Sequence, residues 1–517
     1  MQVFETVLAL LLGAALVSSL ARRLHIPYPT VLAVGGALVA LLPHGPSLDF
    51  PPSLILAIFV APVLMEAAFS TSLRDLWESW DHVLALVVVA VALTTAAVAV
   101  VARYLLPGMP WPVAIALGAL LAPPDAVAAT AVLRQISLPL RIRTVLEGES
   151  LLNDASALLI YKVSVSAVVA GSFGFAQVMP TFALVVLGSV VIGLVLAWPA
   201  SWLMERFEDA PSAVIFQFGL TFGLWLASEH LGLSPVVVVV AFALTLARKV
   251  THVGPAHVRL ASFAIWDSAT VILNVLGFTL IGLQLRPILE ALSRQQRVHS
   301  LAMALILLAV VIGVRLALVL VHHVISRLRN PSDVRTSSYT SSAGGALAVG
   351  WSGMRGIVTL AAAMALPTGF PYRDFIQLTA FVVVLGTLLI HGLTLRPLLG
   401  LVRLPPDDTV QQELARARKT ALRAALAELR HHDTTAAERL RQEITEALRG
   451  TQPGLGPAGQ PEARLRRQLV TTARLTIDDL RNTGIIGDDA YRQVETELDW
   501  MELSASAPID QGPTPSP

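Results

Sequence analysis

The chain has 517 residues, 55% of them hydrophobic and only 14% charged, against about 25% charged in an average soluble domain. That balance places it among membrane proteins before any motif is considered. Lys and Arg (37) nearly equal Asp and Glu (36), so the bulk charge gives no reason to expect a nucleic-acid partner. Cysteine is absent, which excludes disulfides, thiolate metal sites and iron–sulfur chemistry.

The N-terminus carries Glu5 and no Lys or Arg ahead of the apolar run 7–20, and the first basic pair, Arg22 and Arg23, follows it. A cleavable signal peptide has the opposite order. The expectation is a first spanning helix with its N-terminus outside and its basic flank in the cytoplasm.

Stretches apolar enough to cross about 30 Å of hydrocarbon, which takes about 20 helical residues, recur to about Gly400. The predicted spans are 3–20, 27–43, 53–69, 82–107, 112–133, 145–170, 178–203, 213–232, 235–249, 261–285, 299–326, 343–366 and 374–400. About 13 helices leave the C-terminus in the cytoplasm. Loop charges agree in part: Arg134, Arg141, Arg143, Arg248, Lys249, Arg259, Arg327, Arg329 and Arg335 fall inside, and the outer loops 107–112 and 171–180 carry no charge. Arg286, Arg294 and Arg297 go against the rule, since alternation places them outside.

From about Pro405 the composition turns to Arg, Glu, Gln, Ala and Leu at helical spacing. The predicted division is a transmembrane domain over 1–404, a cytoplasmic helical tail over 405–504 and a disordered end over 505–517. Tail helices are expected at 413–430, 462–481 and 488–501, with a Pro/Gly break at 450–461. A solvated hairpin that at most helps dimerisation is the plain reading of this tail; a regulatory module is the sharper one.

An ionisable group at mid-membrane is costly unless paired or hydrated, so each one is a functional candidate. The spans hold Glu66, Asp125, Glu149, Asp154, Lys162, Asp267, Arg315 and Arg355. On a helix Glu149, Ser150, Asn153 and Asp154 share one face. Four oxygen-bearing side chains there suit a hydrated cation; a helix cap at the cytoplasmic interface would account for Glu149 and Ser150 better than for Asp154. Lys162 lies about 12 Å further along that helix and nearly opposite, where snorkelling or packing is expected. Asp267 and Arg315 are a candidate pair with no functional assignment.

Two spans carry breaks. The fifth is interrupted at Ala122-Pro123-Pro124-Asp125, where the prolines remove amide donors. The twelfth is interrupted at Gly350-Trp351-Ser352-Gly353, ahead of Arg355 and Gly356. Irregular backbone at membrane depth is tolerated where it lines a cavity. If helices one to six and eight to thirteen form an inverted repeat linked by helix seven, these two discontinuous helices are equivalent and cross at a transporter's binding site. Asp125 would then neutralise the paired positive helix ends and Arg355 the paired negative ones.

Four segments together resemble the sodium/proton antiporters of the NhaP and eukaryotic exchanger type. They are Met65-Glu66-Ala67-Ala68, Ala122-Pro123-Pro124-Asp125, the string from Leu146 through Glu149-Ser150-Leu151-Leu152-Asn153-Asp154 to Ala155, and Gly353-Met354-Arg355-Gly356. The resemblance implies an all-α polytopic antiporter and not an enzyme. It would exchange Na+, or Li+ or K+, for protons by alternating access, as a homodimer in the cell membrane with a part in pH homeostasis. No cofactor is implied; cation, proton and lipid bilayer are the expected partners.

By the same resemblance Asp154 binds cation or proton with Asn153 beside it, Glu66 and Ser150 complete the Na+ site, and Glu149 forms a buried ion pair with Arg355. The family usually has Thr where this chain has Pro124, which keeps a carbonyl but loses a hydroxyl. Asn-Asp in place of Asp-Asp resembles the electroneutral branch, one proton per cation. Two rival readings remain: a passive cation channel, and an intramembrane serine protease using Ser352 and His391, whose Gly-x-Ser-Gly pattern is similar to that of rhomboid proteases.

Overall fold

In the computed structural model the described residues are 2–24, 26–43, 51–71, 85–125, 128–129, 140–170, 175–250, 256–329, 343–402, 409–429 and 434–449, with scattered positions from 469 to 498. All regular structure among them is helical. The chain divides into two compact units, Met1–Pro405 and Pro406–Pro517.

In the first unit α1 is Gln2–Arg23 and α2 is Tyr28–Ala40. Helix α3 runs from Pro52–Ile55 through a wider π-helical stretch, Leu56–Val60, into Ala61–Ser70. Helix α4 also contains a π-helical stretch, Ala85–Ala90, which leads into Val91–Leu105. Then follow α5 (Trp111–Leu121), α6 (Leu140–Ala170), α7 (Phe175–Met204), α8 (Ala210–His230), α9 (Pro235–Val250), α10 (Ala256–Leu283), the short α11 (Leu285–Glu290) and α12 (Arg294–Arg329). The half-helices α13 (Ala343–Trp351) and α14 (Ile357–Met364) precede α15 (Arg373–Val402).

Helix therefore occupies part or all of every predicted span. Among the described residues seven helices are long and apolar enough to cross a membrane, and four shorter apolar helices accompany them. Large side chains such as Leu12, Leu16, Leu184, Ile215 and Leu328 lie exposed on the outside, as a lipid-facing surface requires. Inside the helices, hydroxyls are satisfied by their own turn: Ser164, Ser228 and Thr279 donate to the carbonyls of Ile160, Leu224 and Val275. That is the cheapest way to keep a polar group in an apolar span.

The helices fall into two packed sets. One joins α1, α2 and α3 to α8, α9 and α10, with α7 against α9; the other joins α4, α5 and α6 to α12, α13, α14 and α15. Each set takes consecutive helices from the first half of the chain and from the second. Within the first set α2 and α10 cross closely, because a Cβ on Gly36 would meet the Thr279 carbonyl and one on Gly282 would meet the backbone of Ala33 and Ala37. Between the sets Leu158 on α6 packs against the apolar clusters of both, and Ile357 at the head of α14 does the same.

Two of the three arginines that broke the loop-charge rule are held locally. Arg286 pairs with Glu290 at 2.8 Å, and Arg297 donates to the Leu292 carbonyl at 2.8 Å.

The second unit contains α16 (Thr409–Glu428) and α17 (Thr435–Arg449). Thr434 caps α17 by accepting from the Ala437 amide at 3.1 Å, and Arg441 donates to the Leu429 carbonyl at 2.8 Å. The tail helices predicted at 462–481 and 488–501 lie mostly outside the described residues, and the segment 505–517 lies wholly outside them.

Candidate functional site

Helix α5 stops at Leu121 because Pro123 and Pro124 have no amide to continue it. The next amide, that of Asp125, turns across to the second break and donates to the Met354 carbonyl at 2.6 Å. In the other half of the chain α13 ends at Trp351, residues 352–356 are irregular, and α14 begins after Gly356. The two interruptions thus touch backbone to backbone.

Arg355 is 1% exposed, and its guanidinium is spent on the carbonyls freed by these breaks. It donates to Leu121 O at 3.1 Å, to Ala122 O at 3.3 Å and to Gly353 O. Its own amide donates to Thr387 Oγ1 on α15 at 3.0 Å. One delocalised cation therefore covers carbonyls at the C-terminal ends of α5 and α13, where the helix dipoles are negative. Asp125 lies at the opposite pole. Its carboxylate packs on Gly356, the residue capping α14, so closely that a Cβ there would overlap it.

Glu149 is fully buried, and its cation is Arg315 on α12. The contact is bidentate, with Nη1 on Oε1 and Nη2 on Oε2 at 2.8 Å. This corrects two sequence expectations, the pairing of Glu149 with Arg355 and that of Arg315 with Asp267. The physical reason is demand: the cut carbonyls of two broken helices occupy Arg355, and only a separate arginine can neutralise the buried carboxylate. Gly353 lies between the two guanidinium side chains, since a Cβ there would sit 2.5 Å from Arg315 Nε and 3.3 Å from Arg355 Nη1.

Asn153 and Asp154 are buried on α6. The Asn153 amide nitrogen donates to Glu149 Oε1 at 3.1 Å, which fixes the amide's orientation; its oxygen has no hydrogen-bond partner among the described residues. Asp125 lies within electrostatic range of Asp154. Glu66 is half-buried on α3, which packs against α6. Pro124 is buried in the first break. Ser150 belongs to α6, but its side chain lies outside the described residues. Lys162 is exposed on α6 with Glu229 in electrostatic range. Tyr161 adds a tie not anticipated from sequence: its hydroxyl donates to the Ala362 carbonyl at 2.8 Å and moors α14 to α6.

The Ser352–His391 dyad does not form. Ser352 Oγ donates to the Ala348 carbonyl of its own helix at 2.6 Å. Neither ring nitrogen of His391 has a hydrogen-bond partner among the described residues, and the ring packs on Trp351 at 5.0 Å. No nucleophile and base meet there.

Broken helices that cross beside buried carboxylates, inside a paired-bundle fold, define a secondary transporter. Residues 7–401 match the family described as sodium/hydrogen exchanger, transmembrane, and the chain belongs to that family. It is thus a multi-pass cation/proton antiporter, a transporter and not an enzyme; the protease and passive-channel readings fall with this.

Similarity extends to several named relatives. The chain is 29% identical to an uncharacterised Na+/H+ exchanger of Mycobacterium bovis, over 98% of this chain and 97% of that one. It is 26% identical to a sodium, potassium, lithium and rubidium/H+ antiporter of Bacillus subtilis, over 99% and 79%. It is 30% identical to the low-affinity Na+/H+ antiporter NhaS1 of a Synechocystis species, over 83% and 80%. In fold it is similar to the sodium proton antiporter MjNhaP1 of Methanocaldococcus jannaschii at pH 8, with a TM-score of 0.60, 17% identity, and coverage of 76% of this chain and 100% of that one.

Proposed function

We propose that this protein exchanges Na+ for H+ across the cell membrane, one for one and by alternating access, with Asp154 holding the two ions in turn. The observation that carries the assignment is the pairing of Asp154 with Asn153. Because the Asn153 nitrogen is committed to Glu149, its carbonyl oxygen remains for a ligand beside the buried carboxylate. A small hard cation takes oxygen donors; the Asp154 carboxylate, the Asn153 amide, Glu66, the Ser150 hydroxyl and the Pro124 carbonyl are the set. Pro124 contributes no hydroxyl, so this chain offers one donor fewer than a threonine there would. That makes Li+ and K+ the alternatives to test.

Coupling follows from competition. A proton and a cation take the same carboxylate oxygens, so each excludes the other at one group. If only occupied states change access, the two gradients are linked. Asp125 and Arg355 hold the crossing of opposed helix ends, and the Glu149–Arg315 pair holds α6 against α12. The relatives named for Na+ and for several alkali cations support the same cargo class. A homodimer, with the N-terminus outside and the tail in the cytoplasm, completes the reading.

In proteoliposomes carrying an imposed pH gradient, adding Na+ should dissipate the gradient, and a panel of Li+, K+ and Rb+ ranks the cargo. Asp154→Asn should abolish the response to every cation. Retained exchange in that variant would remove Asp154 as the carrier.

A further inference from the structure

Asp267 is a further carboxylate of the predicted spans, one that the site above leaves without work. It lies about 16 Å along α10 from the helix start at about 1.5 Å per residue, deep within an apolar candidate span. It is exposed, as are the small residues Ala264 and Ser268 beside it, and it makes no hydrogen bond or ion pair among the described residues.

Its level is set by neighbouring contacts. Helix α3 runs antiparallel to α10: Phe59 lies against Gly277, 3.6 Å from where a Cβ would be, and further along the Phe69 ring lies 6.4 Å from Phe263. Counting inward from these two contacts brings Glu66 and Asp267 to the same height. Trp266 fixes the rotation of α10 there, because it stacks on Phe218 at 4.2 Å and donates to Gln217 on α8. The following residue, about 100° further round the helix, is thereby turned away from that contact.

A carboxylate left unpaired in hydrocarbon is costly, and such residues face water or a partner. We infer that Asp267 faces the aqueous approach to Glu66 and Asp154 and draws cations into it, as an access residue that never becomes part of the occupied site. This rests on the exchange reading above and extends it. A fixed negative charge beside a water-filled path raises the local cation concentration, and salt screens the effect. Asp267 therefore acts on the apparent KM for the cation and leaves turnover alone.

The absence of cysteine makes Asp267→Cys a single-thiol protein. In proteoliposomes a membrane-impermeant charged thiosulfonate should modify Asp267→Cys, and should not modify Ile272→Cys, another exposed position on α10. Asp267→Asn should raise the KM for Na+ by about three- to tenfold at low ionic strength with kcat unchanged, and the difference should close as choline chloride is added. No labelling of Asp267→Cys, equal labelling of both cysteines, an unchanged KM, or a loss confined to kcat would overturn the inference. Retained exchange in Asp154→Asn would instead overturn the carrier assignment, and the labelling contrast between the two cysteines would still decide whether Asp267 faces water.

Discussion

Two of the helix crossings in this molecule are built on opposite principles. Where α2 meets α10, both helices are continuous and approach because Gly36 and Gly282 have no side chains; every backbone group stays inside its own helix. Where α5 meets the α13–α14 break, the helices approach because they stop. Their freed groups are then met by Asp125, Arg355 and each other. The first crossing carries no charged side chain at its contact and packs backbone on backbone. The second keeps carbonyls, amides and charges at membrane depth, which is tolerated only where they are buried in protein or line a cavity.

The largest expected effect separates the two through charge. Arg315→Met should destabilise the protein by about 3–5 kcal/mol, because Glu149 is left buried and unpaired, whereas Arg315→Met combined with Glu149→Gln should lose much less. Thermal unfolding of the two singles and the double in detergent forms the cycle that checks this. Additive losses would mean that the pair does not act as a unit.

Next comes Gly356→Ala. Its Cβ would displace the Asp125 carboxylate from the head of α14, so turnover should fall by about ten- to a hundredfold in the proteoliposome assay. At the other crossing, Gly36→Ala should cost about 1–3 kcal/mol of stability while the KM for Na+ stays put. Tyr161→Phe removes one hydrogen bond between α6 and α14 and should cost about 1 kcal/mol.

The smallest effect lies outside both crossings. The Ser212 amide, donating to Asp209 at 2.8 Å, holds that carboxyl below its usual range. The stability it contributes is present above the ordinary aspartate range and lost as pH falls through the lowered value. Asp209→Asn should flatten the acid limb of the melting profile slightly and leave transport unchanged.

The helical class was legible in the sequence because apolar runs and loop charges repeat over most of the chain. The breaks were legible because Pro123-Pro124 and the Gly350–Gly356 region violate helix chemistry locally. Asn153 and Asp154 stood out because helical spacing alone puts them on one face with Glu149. The identity of Glu149's cation was not legible. Arg315 and Arg355 lie far along the chain from it, and choosing between them needs the count of carbonyls that Arg355 must satisfy, which only the assembled crossing supplies. A usable signal was present nonetheless: two buried arginines imply two separate demands, and a single carboxylate cannot meet both. The mooring of α14 by Tyr161 carried no local signal, since an apolar span tolerates a tyrosine for packing alone.

Competition of proton and cation for Asp154 is the centre of the mechanism, and Na+ binding measured against pH tests it most directly. In detergent, Na+-dependent thermal stabilisation should give an apparent affinity that weakens about tenfold per pH unit on the acid side and levels off on the alkaline side. Asp154→Asn should bind no Na+ at any pH. An affinity independent of pH in the wild type, or Na+ stabilisation surviving in Asp154→Asn, would contradict competition at this carboxylate.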